Sequence, residues 1–124
     1  MGYFLAGKGL KTGECPEYWN VIHPDVVLNI AQSYIDAGAD MIETNSFGAN
    51  KFKLAHYGLE REVYNLNKTA AEISRKAAGS NHFVIGSVGS TGKLLLMEET
   101  TPAEMYAVFS EQVIALEKVV QMQF

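Results

Sequence analysis

The side chains with the clearest potential for chemistry follow one short apolar segment. Residues 40–44 predict a buried strand, and Thr44, Asn45 and Ser46 stand at its C-terminal end. Parallel α/β folds hold their ligands at that end of their strands, so these hydroxyl and amide groups predict a hydrogen-bonding pocket. The alternative is structural, because Glu43 and Thr44 could satisfy backbone groups while Asn45 shapes a turn. Residue types and spacing leave both interpretations open.

A glycine-rich segment at residues 86–93 nearly imitates a phosphate-binding loop. Such a loop has four residues between its first glycine and its Gly-Lys pair. Here five residues lie between Gly86 and Gly92. Leu94 also stands where a magnesium-binding Ser or Thr belongs, and no helix is predicted directly after Lys93 to receive a phosphate. We therefore interpret this segment as a flexible loop above a strand end.

Cysteine and histidine are distributed in a way that does not favour metal or nucleophile chemistry. The one cysteine, Cys15, cannot build a multi-thiolate zinc site, and no activating base accompanies it. His23, His56 and His82 form no pair with ligand spacing, so they are interpreted as helix-start or surface residues. The sequence therefore predicts neither a metal ligand nor a catalytic residue.

The elements that must position these groups alternate between helix and strand. Residues 1–22 show no hydrophobic period and predict an irregular segment. The remaining chain predicts, in order, a helix from Pro24 to Gly38, a strand at 40–44, a short helix at 51–57, a helix at 63–77 capped by Gly79, a strand at 83–88, and a helix that begins at a Thr101–Glu104 capping box and buries Met105, Phe109, Val113 and Leu116. Strands joined through helices run parallel and are buried on both faces, so the predicted class is α/β.

Composition limits the class of protein and its setting. The chain has 124 residues, 48% of them hydrophobic, and a net charge of -4. This length suits one domain, and the charge argues against a nucleic-acid footprint. No apolar run approaches a membrane span. The single cysteine suits a reducing compartment, so we expect a cytoplasmic protein without a membrane partner.

Further segments complete a pattern that extends over residues 2–118. They are residues 9–10, 13–20, 24–27, 37–49, 53–54 and 57–59. Together they resemble the homocysteine S-methyltransferase family, and most closely the homocysteine-binding module of cobalamin-dependent methionine synthase. The resemblance implies a (β/α)₈ barrel, of which this chain supplies roughly the first three βα units without the first strand. It also implies homocysteine as the partner of the parent enzyme.

The same resemblance assigns roles to particular residues. Thr44, Asn45 and Ser46 are expected to bind substrate, with Gly89 supplying backbone at the next strand end and Glu43 remaining structural. In the family, zinc held by three cysteines binds the homocysteine sulfur, which then takes up a methyl group. Cobalamin and methyltetrahydrofolate are implied for a full-length parent, whereas no cofactor is expected for this chain.

Two departures from the family pattern lead us to expect that this chain is inactive alone. The three zinc cysteines would lie beyond Phe124, and Cys15 matches none of them. The aspartate that helps to hold the substrate amino group has no counterpart. Residues 119–124 also lack the expected strand entry, and our hypothesis is that they form an out-of-frame tail. Residues 1–124 would then be a truncated barrel domain.

The sequence leaves two other functions open. One is a non-catalytic fragment or assembly module, and the other is a small phosphate-binding α/β domain that uses residues 86–93. An incomplete barrel would expose strand edges and apolar helix stripes, such as the stripe at 63–77. We therefore expect a homo-oligomer, with a symmetric dimer as the default.

Overall fold

The computed structural model describes residues 1–120, which form six α-helices and a parallel sheet of two strands. The helices are α1 (Gly2–Gly7), α2 (Trp19–Ile22), α3 (Pro24–Asp36), α4 (Lys51–Ala55), α5 (Val63–Ala78) and α6 (Pro102–Val120); the strands are β1 (Met41–Glu43) and β2 (Phe83–Ile85); 3₁₀ turns span Pro16–Tyr18 and Glu60–Glu62. This order confirms the α/β class. Residues 121–124 of the hypothesised tail lie outside the described residues. Within residues 1–120, no helix is long and apolar enough to cross a membrane.

The sheet is covered by helices on one face. Ile42 lies opposite Val84 in the parallel register, and both side chains pack in one cluster with alanines of α3 and α5. Met41, Phe83 and Ile85 point the other way and are exposed, Phe83 by 56%. The prediction that both faces are buried is therefore wrong for the described residues. Alternate side chains point to opposite faces of a strand, and the described helices pack against one of them.

The N-terminal segment is helical rather than irregular, which corrects the prediction for residues 1–22. It forms α1, a 3₁₀ turn and α2. Leu5 and Trp19 are buried in a cluster with Val27 and Ile73, and this burial stabilises the short helices. Helices of six and four residues are too short to show a hydrophobic period, so sequence reasoning had no signal for them.

Helix α5 is the central element and behaves as its sequence predicts. It packs on α2, α3 and α6 and also contacts both strands. The predicted apolar stripe, from Val63 to Ala77, is buried. Gly79 ends the helix with a φ of 62°, and its N–H donates to the Arg75 carbonyl. This left-handed conformation is one that glycine adopts without steric cost.

Helix α6 starts as predicted but buries a different face. The Glu104 N–H donates to the Thr101 hydroxyl at 3.1 Å, which confirms the N-terminal cap. Val113, predicted to be buried, is 47% exposed. Leu116 is buried as predicted, whereas Met105 and Phe109 are half-buried. The other buried residues of the helix are Val108, Gln112, Ala115 and Val119. The buried face of α6 is rotated relative to the predicted apolar stripe because it includes Gln112, which has hydrogen-bond partners inside the protein. The pattern of apolar residues does not predict a buried amide.

Candidate functional site

An open cavity of about 340 Å³ lies at the C-terminal ends of the two strands. It is lined by Met1, Pro16, Glu17, Glu43, Thr44, Asn45, Ser46, Phe47 and Ser87. Three of the four residues predicted to bind substrate therefore line one cavity. Glu43 was expected to be structural, yet its exposed side chain also forms part of the wall.

Two buried hydroxyl groups join the end of β1 to the end of β2. The Ser46 hydroxyl donates to the Ser87 carbonyl at 2.8 Å, and the Ser87 N–H donates to the Thr44 hydroxyl at 2.9 Å. The two hydroxyls are 2.5 Å apart. Because Ser46 has already used its only proton, Thr44 must donate to Ser46. The pair therefore has no proton left for a ligand and can offer only acceptor lone pairs.

Asn45 is locked by a second asparagine that sequence reasoning missed. The Asn45 amide donates to the Pro16 carbonyl at 2.9 Å and to the Asn20 side-chain oxygen at 3.0 Å. The Asn20 amide in turn donates to the Asn45 carbonyl at 2.9 Å and to the Leu66 carbonyl at 3.2 Å. Both amide protons of Asn45 are therefore used within the protein, which leaves its side-chain oxygen as the group able to meet a ligand.

Glu17 is a buried carboxylate in the cavity wall and was also missed. One oxygen accepts the Gly48 N–H at 2.7 Å, and the other accepts the Cys15 thiol at 3.4 Å. A Cβ on Gly48 would lie 2.8 Å from Glu17, so glycine permits this approach. Burial, reinforced by the Glu17 charge, raises the pKa of Cys15 to about 12. Cys15 is thus a protonated hydrogen-bond donor and a poor nucleophile.

Gly89, the fourth predicted residue, lies beside the cavity rather than in its wall. Its N–H donates to the Phe47 carbonyl at 2.9 Å. A Cβ built on Gly89 would lie 2.6 Å from the Phe47 ring, so this position accommodates the aromatic side chain. Phe47 itself lines the cavity and is largely exposed. Gly89 therefore contacts Phe47, which lines the cavity, but does not line it itself. The contribution of Gly89 to ligand binding stays a prediction.

A layer of buried amides supports the loop that carries the site. Gln112 of α6 donates to the Ser46 carbonyl at 2.7 Å and to the Asn67 side-chain oxygen at 3.1 Å. Asn67 donates to the Ala49 carbonyl at 2.8 Å. Asn50 accepts the Lys53 N–H and caps α4. The local sequence does not predict that these amides are buried and support the loop, because an amide on a helix is typical of an exposed surface position.

The described residues do not fit the zinc site that the resemblance implies for the parent. Among residues 1–120, no group of three or more His, Cys, Asp or Glu side chains could hold a metal ion. Cys15, the only thiol, is committed to Glu17 in its protonated form. His23 packs edge-on against Trp19, with ring centres 4.5 Å apart. No step of chemistry through zinc can therefore be derived from these side chains.

Comparison with known sequences identifies a family and several relatives, two of which are methionine synthases. A family model described as Homocysteine S-methyltransferase matches residues 3–123. A methionine synthase of Mycobacterium tuberculosis is 32% identical over 108 residues, which is 82% of this chain and 9% of that protein. A methionine synthase of Mycobacterium leprae is 34% identical over 92 residues, or 69% of this chain and 8% of that protein.

Comparison with solved structures also identifies homocysteine methyltransferases. The metallated form of the homocysteine methyltransferase MmuM from Escherichia coli superimposes with a TM-score of 0.75 at 26% identity. The match covers 96% of this chain and 48% of that structure. Its oxidized form, at 24% identity and a TM-score of 0.76, shares the fold. The chain therefore spans about half the length of these solved structures, and less than a tenth of the two synthases.

Proposed function

Because this chain belongs to the homocysteine S-methyltransferase family, we propose that it contributes the homocysteine-binding part of a (β/α)₈ barrel. The parallel pairing of β1 with β2 supports this architecture, since successive strands of such a barrel are joined by helices and run parallel. The cavity lies at the C-terminal strand ends, where barrel enzymes hold their substrates. In this proposal α3, α5 and α6 are three successive outer helices.

The acceptor character of the cavity favours the amino group of an amino acid as the part that is bound here. The hydroxyl protons of Thr44 and Ser46 are used within the protein, so these two lining residues can meet a ligand only as acceptors. Glu17 and Glu43 add carboxylates to the same wall. An ammonium group supplies three donors and a positive charge, so it complements this arrangement. This is the observation that carries the proposal.

Sulfur activation and methyl transfer require groups that the described residues do not provide. The role proposed here is therefore to bind and orient homocysteine, with zinc ligands, methyl donor and transfer chemistry supplied from outside residues 1–120. Alone, the chain is proposed to be inactive in methyl transfer. A nucleotide phosphate loop, in which a helix starts directly after the Gly-Lys pair, receives no support from the fold, because α6 begins at Pro102 and not directly after Lys93.

Homocysteine binding tests this proposal directly. We expect homocysteine to bind more tightly than 4-mercaptobutanoate, which has the same thiol and carboxylate but lacks the amino group. Glu43→Gln should weaken homocysteine binding about fivefold, because an exposed charge pair contributes about 1 kcal/mol. Calorimetric titration measures both effects. The matched control is Glu60→Gln, which changes an exposed carboxylate of the 3₁₀ turn before α5. Equal affinity for the two thiols would contradict the role given to the cavity.

We also propose that this chain associates with a second copy through its uncovered sheet face. Met41, Phe83 and Ile85 form an exposed apolar surface there, and exposed apolar surface of this kind promotes association. Light scattering at micromolar concentration should give the mass of a dimer, and Phe83→Glu should give that of a monomer. Tyr106→Glu, which alters an exposed aromatic of α6, is the control. A folded monomer of the unaltered chain would contradict this proposal.

A further inference from the structure

The loop after β2 carries unused hydrogen-bond donors outside the cavity that is proposed to bind homocysteine. Among the hydrogen bonds of residues 1–120, none is donated by the backbone N–H of Ser90, Thr91 or Gly92. Gly92 bends the chain in the left-handed region, with a φ of 78°. Successive N–H groups in turn conformations form concavities that bind anions. The loop thus holds three successive N–H groups without acceptors among the described residues, two of them on the exposed Ser90 and Gly92 and one on the buried Thr91.

Two lysines bring positive charge to this loop from separate parts of the chain. The Lys53 side chain lies against Gly92, since a Cβ built on that glycine would be 3.6 Å from the Lys53 ammonium nitrogen. The ammonium nitrogen of Lys93 lies 5.7 Å from the centre of the Phe52 ring. Within the described part of the chain, neither lysine has a carboxylate within 4.0 Å. Both charges therefore remain available to an anion.

One carboxylate of the following turn, Glu99, accepts a backbone N–H, that of Leu94, at 2.8 Å. It forms no ion pair with Lys93 among the described residues. The Thr91 hydroxyl donates to the Met105 sulfur at 3.4 Å and accepts the Lys93 N–H at 3.2 Å, so its proton is used within the protein.

We propose that residues 90–93 together with Lys53 form an oxyanion site that takes the phosphate group of a small phosphorylated ligand. A phosphate offers three strong acceptor oxygens and close to two negative charges, which complement three N–H groups and two ammonium groups. The site differs from a nucleotide phosphate loop, because α6 starts at Pro102 and no helix end takes part. Phe47 packs on Gly89 between this loop and the homocysteine cavity, so the two sites are separate.

Titration with inorganic phosphate, followed by amide NMR at constant ionic strength, tests this site. We expect saturable shifts of the Ser90, Thr91 and Gly92 amide signals, with smaller effects at Thr44 and Asn45. Acetate should bind at least tenfold more weakly, because it has fewer oxygens and a single charge. Shifts confined to Thr44 and Asn45, or none at all, would overturn the proposal. Equal binding of acetate would overturn the assignment to phosphate.

Variants of the two lysines provide the second arm of the test. Lys53→Gln and Lys93→Gln should each weaken phosphate binding about tenfold, since a charge-assisted hydrogen bond is lost. The matched control is Lys118→Gln, because Lys118 also lies 5.7 Å from an aromatic ring centre, that of Tyr64, but far along the chain from the loop. Dispersed amide signals verify that each variant is folded. Unchanged affinity in both loop-lysine variants would overturn the site.

Discussion

Alkylation of Cys15 by iodoacetamide at pH 8 is expected to be about 1000-fold slower in the folded chain than in the denatured chain. The thiolate is the reacting form, and burial raises the pKa of Cys15 from 9.0 to about 12. Below both values, the thiolate fraction falls tenfold for each unit by which the pKa rises. Mass spectrometry of samples quenched over time, in buffer and in urea, measures the two rates.

The companion variant for this prediction is Glu17→Gln. It removes the negative charge that opposes ionisation of Cys15, so alkylation of the folded variant should be faster. A folded chain that reacts within tenfold of the denatured chain would show that the thiol is neither buried nor held protonated.

The raised pKa of Cys15 also predicts that the folded chain loses stability at alkaline pH. The unfolded chain loses the thiol proton near pH 9.0, whereas the folded chain keeps it until about pH 12. Proton binding by Cys15 therefore favours the folded state in full below pH 9, and this contribution is lost progressively as the pH rises from 9 towards 12. Cys15→Ser should make the decline of unfolding free energy in that range less steep.

Replacing Asn20 with alanine is expected to lower the free energy of unfolding by about 3 kcal/mol. Asn20 is fully buried and donates to the carbonyls of Asn45 and Leu66, while its oxygen accepts the Asn45 amide. Alanine leaves these buried partners without hydrogen bonds, and each unsatisfied group costs about 1–3 kcal/mol before water enters. Urea denaturation followed by circular dichroism measures the change.

Two further variants make the Asn20 result specific. Asn29→Ala alters an exposed asparagine of α3, and we expect its effect to stay within about 0.5 kcal/mol because alanine favours a helix. Asn45→Ala removes the other member of the pair, so the double variant should lose less stability than the two single losses added together. Additive losses, or a cost for Asn20 no larger than that for Asn29, would show that the pair is not a unit.

The local sequence determined where α5 ends and where α6 begins. The Thr101–Glu104 cap and the glycine at position 79 act through bonds to residues three or four positions away, so their effect is visible in the sequence. The repeat of apolar residues along α5 likewise reports which face is buried. Thr44, Asn45 and Ser46 could be placed together in one cavity for the same reason, since they follow a strand whose C-terminal end is recognisable.

The tertiary structure alone decided what those residues can do. Asn20 reaches Asn45 across 25 positions, and Gln112 reaches the Ser46 carbonyl across 66. Glu17 meets Gly48 in the same way, across 31 positions. A hydrogen bond between distant parts of a chain leaves no periodic pattern in the sequence, because it depends on how helices and loops pack and not on their local propensities. That packing converted the site's hydroxyls into acceptors and rotated α6 to bury an amide.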